Sequence, residues 1–302
     1  MKWRGRRGSS NIDDQRGGGG FGGLGGGRGR IPARGGMRVG GLGLVAVVVL
    51  GLIFGVDPST LLGMMGDGGY APAPQQGAQQ ARSPNRIDDQ TEEFISVVLA
   101  DTEEVWSGIF SERLGRTYAP PVLVLFSGQT RSGCGGASAA TGPFYCPADK
   151  RIYLDADFFR TLQQRLGAGG DFARAYVIAH EVGHHVQNEL GVLPEVNRAR
   201  AGASEVEANQ LSVRLELQAD CFSGVWAREA ERLFASLEPG DIDEALNAAA
   251  QIGDDNLQKQ AQGYAVPDSF THGSSAQRVR WFYAGFRDGD IAACDSFSAS
   301  SP

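Results

Sequence analysis

Residues 171–190 read DFARAYVIAHEVGHHVQNEL, and the five positions His180, Glu181, Val182, Gly183 and His184 decide how the rest of the chain is to be read. In an α-helix of 3.6 residues per turn His180 and His184 stand one turn apart on one face, and Glu181, about 100° round, leans over the same pocket. Two neutral imidazoles at that spacing hold one zinc ion at about 2 Å, while a catalytic site keeps a position open for water, whose proton a neighbouring carboxylate takes. The motif HExxH supplies all three parts. Around it Ala175, Val177, Ile178, Ala179, Val182 and Val186 suit a buried helix. An ordinary core helix with satisfied histidines is the competing reading, and Gly183 counts against it. Glycine inside a helix costs on the order of 1 kcal/mol relative to alanine, so its presence predicts something packed closely against the backbone there.

Two histidines hold a catalytic zinc poorly, so a third ligand is required. The extension HExxHxxGxxH is excluded, because Gln187 stands where its Gly belongs and Leu190 where its third His belongs. Another solution brings a Glu from a second helix. Residues 204–230 form such a helix, opened by Ser204 and Glu207 as a capping box. Within it Glu216 and Asp220 lie one turn apart among Leu215, Leu217, Ala219 and Phe222, and acidic groups among apolar neighbours are costly to bury unless they meet a cation or a donor. The pair suits a division of labour, with Glu216 on the metal and Asp220 accepting the second N–H of a ligand histidine. Glu205 and Glu207 are weaker candidates, since capping explains them.

The chain has 302 residues, 41% of them hydrophobic, enough for a real core. Residues 1–56 carry nine Lys or Arg against Asp13 and Asp14, whereas residues 57–302 carry 19 basic against 33 acidic groups. The acidic body does not suit nucleic acid, and no such partner is expected. Cys134, Cys146, Cys221 and Cys294 show no close CxxC spacing. Cys134 and Cys146 flank a Gly-rich loop that a disulfide would close, leaving Cys221 and Cys294 to tie the C-terminal tail to a helix; two disulfides and an oxidising compartment are expected, against the alternative of four buried thiols in a cytosolic protein.

Taken in order, residues 1–36 are basic and Gly-rich and are expected to be disordered, with an RGG-like nucleic-acid arm as the rival reading. Residues 37–56 contain VGGLGLVAVVVLGLIFGV, 18 uncharged positions long enough for one bilayer span, and the basic residues before it orient its N-terminus to the cytoplasm. A cleaved signal peptide is the rival there, with an unusually long charged region and apolar core. Residues 57–87 read as a flexible linker and 88–302 as the folded domain. Helical periodicity runs from Asp89 to Leu114, PVLVLF at 121–126 reads as a strand, and Phe144–Cys146 with Arg151–Leu154 as a hairpin around PADK, either a purely structural hairpin or an edge on which an extended peptide pairs. The architecture expected is α+β, a small antiparallel or mixed sheet beside the motif helix and a helical C-terminal half supplying Glu216, preceded by one transmembrane helix.

HEVGHH, ELQADC and THGSSAQRVRWF, together with the opening MKWRGRRGSSNIDDQRG and the hairpin FYCPADKRIYLD, resemble the bacterial family of "putative neutral zinc metallopeptidases", a thermolysin-like (gluzincin) relative. The resemblance implies a zincin-like domain, Zn2+ as cofactor, His180, His184 and Glu216 as zinc ligands, and Glu181 as the catalytic carboxylate. His272, in a polar loop before the helix of Val279, Trp281, Phe282 and Phe286, is the candidate donor to the oxyanion, as a late histidine is in thermolysin-like enzymes. Tyr264, Tyr283 and Arg278 are reserves for that role, and a capping or surface histidine is the plainer reading. His185 points about 100° away from His184 and is expected to be structural.

The function expected is a metalloendopeptidase anchored by its single span in the bacterial inner membrane, N-terminus cytoplasmic and catalytic domain periplasmic, acting on a peptide or protein substrate. Its rival is a non-catalytic, zinc-stabilised protein binding peptides or envelope proteins; an amide hydrolase of non-protein substrates is a third reading. His, His and Glu also admit other first-row metals, with zinc favoured by ligand type and by the resemblance.

Overall fold

Ile12 stands alone as an apolar residue in NIDDQ, and it carries the start of the chain into a sheet. The computed structural model describes residues 1–16, 89–138 and 142–302. β1 (Ile12–Asp14) pairs parallel with β2 (Val122–Phe126), β2 parallel with β6 (Arg151–Asp155), and β6 antiparallel with β5 (Phe144–Cys146), giving the mixed order β1-β2-β6-β5. Alternation along β2 sends Leu123 and Leu125 to the main core and Val124 and Phe126 to a second, smaller cluster on the opposite face. β3 (Gln129–Ser132) and β4 (Gly135–Ser138) form a separate two-stranded ribbon.

Helices fill the other side. α1 (Gln90–Leu114) opens where the Asp89 carboxylate accepts the Glu92 N–H and closes at Gly115, whose φ of 63° takes the left-handed turn. α2 (Phe158–Leu166) leads to α3 (Asp171–Leu190), the motif helix, and α4 (Val192–Ala201) to α5 (Glu205–Phe234), which begins with both halves of the Ser204–Glu207 capping box. α6 (Asp241–Gln251), α7 (Asp254–Gln262) and α8 (Ser275–Asp288) complete the half, α8 behind a second capping box of Ser274 and Gln277. α5 and α8 cross backbone to backbone, because a Cβ on Gly224 would overlap the Phe282 carbonyl. The Cys221–Cys294 disulfide ties α5 to the chain beyond α8, and Cys134–Cys146 ties the β3–β4 turn to β5.

The α+β class and its helical half stand, whereas the transmembrane helix and the topology built on it do not. The span expected at 37–56 and the linker at 57–87 lie outside the described residues, and among the described residues no helix is long and apolar enough to cross a membrane. Residues 1–16, expected to belong to a disordered cytoplasmic arm, instead pack on the disulfide-bonded body. Met1, Trp3 and Ile12 are buried in the main core, Trp3 stacks edge-on against Phe94, and Arg6 pairs with Asp101 at 2.6 and 2.7 Å. The Met1 ammonium donates to Asp171 at 2.7 Å and to Asp241 at 3.2 Å, so these converging acids are met by the chain's own cation. The single-pass inner-membrane arrangement with a cytoplasmic N-terminus and a periplasmic domain is overturned by the lack of any such span among the described helices, while the two disulfides are compatible with an extracytoplasmic location.

Candidate metal centre

α3 is held against α5 at Gly183, where a Cβ would lie 3.0 Å from the Ala219 carbonyl. This is the close neighbour that the glycine called for, and it brings the two helices' polar residues into one cluster. His180, His184 and Glu216 each offer a ligand atom, all within 4.8 Å of one another. His180 Nε2 lies 3.1 Å from Glu216 Oε2 and His184 Nε2 3.4 Å from Oε1, with the two rings nearly perpendicular at 86°.

The remaining ring nitrogens fix the tautomers. His180 Nδ1 donates to Asp220 Oδ1 at 2.8 Å, and His184 Nδ1 to Gln187 Oε1 at 2.9 Å. Both Nε2 lone pairs therefore face the Glu216 carboxylate, an arrangement of three electron donors that only a cation completes. Burial opposes the charge on His180 and His184, but nearby carboxylates, Asp220 with Glu216 at His180 and Glu216 at His184, outweigh it and raise both pKa values. Burial likewise opposes the ionised form of Glu216, and the histidines overcome it, holding that carboxyl well below its usual range. One carboxylate and two imidazole nitrogens are a donor set that zinc accepts, so the residues fit the ion.

Behind His180 lies a buried network. Asp220, fully buried, accepts from the Tyr176 hydroxyl at 2.6 Å and from Arg278 through both Nε and Nη2 at 2.9 Å. Arg278, a reserve for the oxyanion, is thus committed to Asp220. Behind His184, Gln187 donates to the Leu215 carbonyl at 2.7 Å and to Gln218, which in turn donates to the Cys294 carbonyl at 3.0 Å. Sequence reasoning used Gln187 only to exclude a longer motif; its position three residues after His184, on the same helical face, was the signal.

An open cleft of about 400 Å³ brings His180, Glu181, His184, Glu216 and His272 together. Its apolar wall includes Phe144, Phe158, Val177 and Leu257. Glu181 is buried, and burial pushes its carboxyl up against the opposing charges of His184 and His180. His272 is half-buried, its Nδ1 3.3 Å from Asp254 Oδ1, while Asp254 Oδ2 accepts the main-chain N–H groups of Thr271, His272 and Gly273. Burial opposes protonation of His272, and the Asp254 charge prevails and raises its pKa. Tyr264 and Tyr283, the other reserves, are 62% and 50% exposed and lie outside the cleft lining. His185 is buried and accepts from the Tyr145 hydroxyl at 3.1 Å while its Nε2–H donates to the Ala119 carbonyl at 2.7 Å.

Donors from two helices, with a carboxylate and a further histidine in the same cleft, define the geometry of an HExxH metal protein. The chain belongs to the family described as "Putative neutral zinc metallopeptidase", whose model matches residues 1–297, and zinc is the cofactor that the family implies. An uncharacterised Escherichia coli (strain K12) protein, YpfJ, is 49% identical over 300 residues, covering 99% of this chain and all of that one. An uncharacterised Mycobacterium tuberculosis (strain H37Rv) protein, Rv2575, is 50% identical over 193 residues, 61% of this chain and 64% of its own. No solved structure matches.

Proposed function

We propose that the protein is a zinc-dependent endopeptidase in which His180, His184 and Glu216 hold the metal and Glu181 is the proton-transferring carboxylate. The observation that carries this is the meeting of three converging donors with Glu181 in one open cleft. Bound zinc supplies Lewis acidity toward a carbonyl and a water in the cleft. Glu181 takes the proton of the attacking water and delivers it to the departing amine. Its burial supports this role, because a carboxylate pushed up in pKa both accepts and releases a proton readily. His272, steadied by Asp254, donates a hydrogen bond to the developing oxyanion. Asp220 and Gln187 orient the ligand histidines, and Arg278 with Tyr176 orients Asp220.

The alternative of a purely stabilising metal asks for a fourth protein ligand. Among the described residues the cluster has three donors, and a structural ion has no use for the carboxylate beside it. Glu181→Gln tests the reading. Zinc content should stay stoichiometric while hydrolysis of casein or a quenched peptide is lost; undiminished hydrolysis would sink the assignment.

A further inference from the structure

The sheet face turned away from the main core is thinly covered. Val124, Phe126, Ala137, Cys146 and Tyr153, with Phe144 packed against them, form its small cluster, and the β3–β4 ribbon lies over it. A two-stranded ribbon is marginal in water on its own. Here the Gly133 N–H donates to Asp149 at 2.6 Å in an exposed position, the Thr130 hydroxyl to Gln15 at 2.9 Å, and Cys134–Cys146 supplies the covalent tie.

The two disulfides differ in access. Cys221 and Cys294 are both buried, at 0% and 1% exposure, whereas Cys134 is exposed in the ribbon's turn and Cys146 is buried at the end of β5. That strand forms one wall of the cleft, since Gly142, Pro143, Phe144, Tyr145 and Pro147 all line it. Cys146 therefore joins the exposed turn to the wall facing the candidate metal centre.

We propose that Cys134–Cys146 is a thiol–disulfide exchange site at which a dithiol reductant loosens this wall while Cys221–Cys294 stays closed. The attacking thiolate bonds to the Cys134 sulfur, the S–S bond breaks, and Cys146 leaves as a thiolate that takes a proton. The second thiol of the reductant then displaces the Cys134 sulfur and closes its own disulfide, so two electrons and two hydrogens pass to the protein. Cys146 remains in the small cluster as a small apolar group. β5 then keeps its pairing with β6 and the Tyr145–His185 bond, without the tether from the turn. Any effect on hydrolysis rests on the peptidase reading; the order of reduction and the loosening do not.

The test takes the full-length, zinc-loaded protein through rising dithiothreitol, with alkylation and mass spectrometry at each step, hydrogen exchange over 142–147, and zinc content after desalting. Cys134 and Cys146 should be alkylated at reductant concentrations about tenfold below those that open Cys221 and Cys294. Exchange over 142–147 should rise, exchange over 171–190 should hold, and reoxidation should restore the first state. With zinc retained, KM for a quenched peptide should rise several-fold. Cys134→Ser should show the raised exchange without reductant. Simultaneous opening of both disulfides, or unchanged exchange over 142–147 after selective opening or in Cys134→Ser, would overturn the proposal. Hydrolysis by neither form would count against the peptidase reading, while alkylation and exchange still decide this one.

Discussion

Gly285 of α8 lies directly against the main-chain carbonyl of Cys221 on α5, with no room between them for a Cβ. The crossing matters beyond packing, because Asp220 is the residue before Cys221 and its partner Arg278 sits two turns back along α8. Gly285→Ala should push the helices apart at a cost of about 1–3 kcal/mol. Thermal unfolding should shift down, and zinc affinity, read by chelator competition, should fall with it as Arg278 withdraws from Asp220. A destabilised variant with wild-type zinc affinity would uncouple the crossing from the site.

Asp220→Asn removes the charge that holds His180 Nδ1–H, the Tyr176 hydroxyl and Arg278 together. Zinc affinity should drop by about 10–100-fold, the usual effect of losing a histidine's outer partner. Gln187→Ala should produce a loss of the same kind through His184. Unchanged affinity in both would show that ring orientation is set by packing alone.

How much of this was legible follows from sequence distance. The meeting of His180, His184 and Glu216 could be read because two helical periods place them, and because Glu216 and Asp220 lie among apolar residues where a carboxylate needs a cation. Arg278 could not be placed, since its position depends on a glycine-enabled crossing of two helices far apart in the chain. Asp254 escaped notice because its task, gathering the N–H groups of Thr271, His272 and Gly273, is a loop contact with no period. Residues 1–16 were misread for a different reason. The Gly- and Arg-rich run after them dominates the local composition, while Met1, Trp3 and Ile12 find their partners only in distant elements.

The His272–Asp254 pair predicts a pH window. Asp254 keeps a depressed pKa despite burial, through the His272 charge and main-chain N–H groups, and His272 a raised one. The stability that a raised histidine contributes is full below its unfolded value of 6.5 and is lost as pH rises through the folded value; that of the depressed carboxylate is present above 3.8 and lost as pH falls through the folded value. In zinc-free protein the gap in unfolding free energy between wild type and His272→Gln should therefore be widest between these limits and shrink above pH 6.5. A gap that widens with rising pH would contradict the pairing.

Trp3 tests whether the first residues are part of the fold. Its ring is 4% exposed and meets Phe94 of α1 edge-on at 5.4 Å, so Trp3→Ala leaves a cavity between the start of the chain and the main core. A fully buried aromatic cut to alanine costs about 3–5 kcal/mol, against a few tenths for a residue in a solvated arm. Arg6→Ala adds a separate case, because it leaves Asp101, 3% exposed, without its two-pronged partner. Removing one member of a buried pair costs roughly 3–5 kcal/mol where the survivor stays charged, and less where it takes a proton. Denaturant unfolding of both variants should show lowered midpoints, with the double variant short of the sum, since the Arg6 N–H donates to the Trp3 carbonyl and both side chains anchor one short segment. Midpoints equal to wild type in both would return residues 1–16 to the solvated arm that their composition suggests.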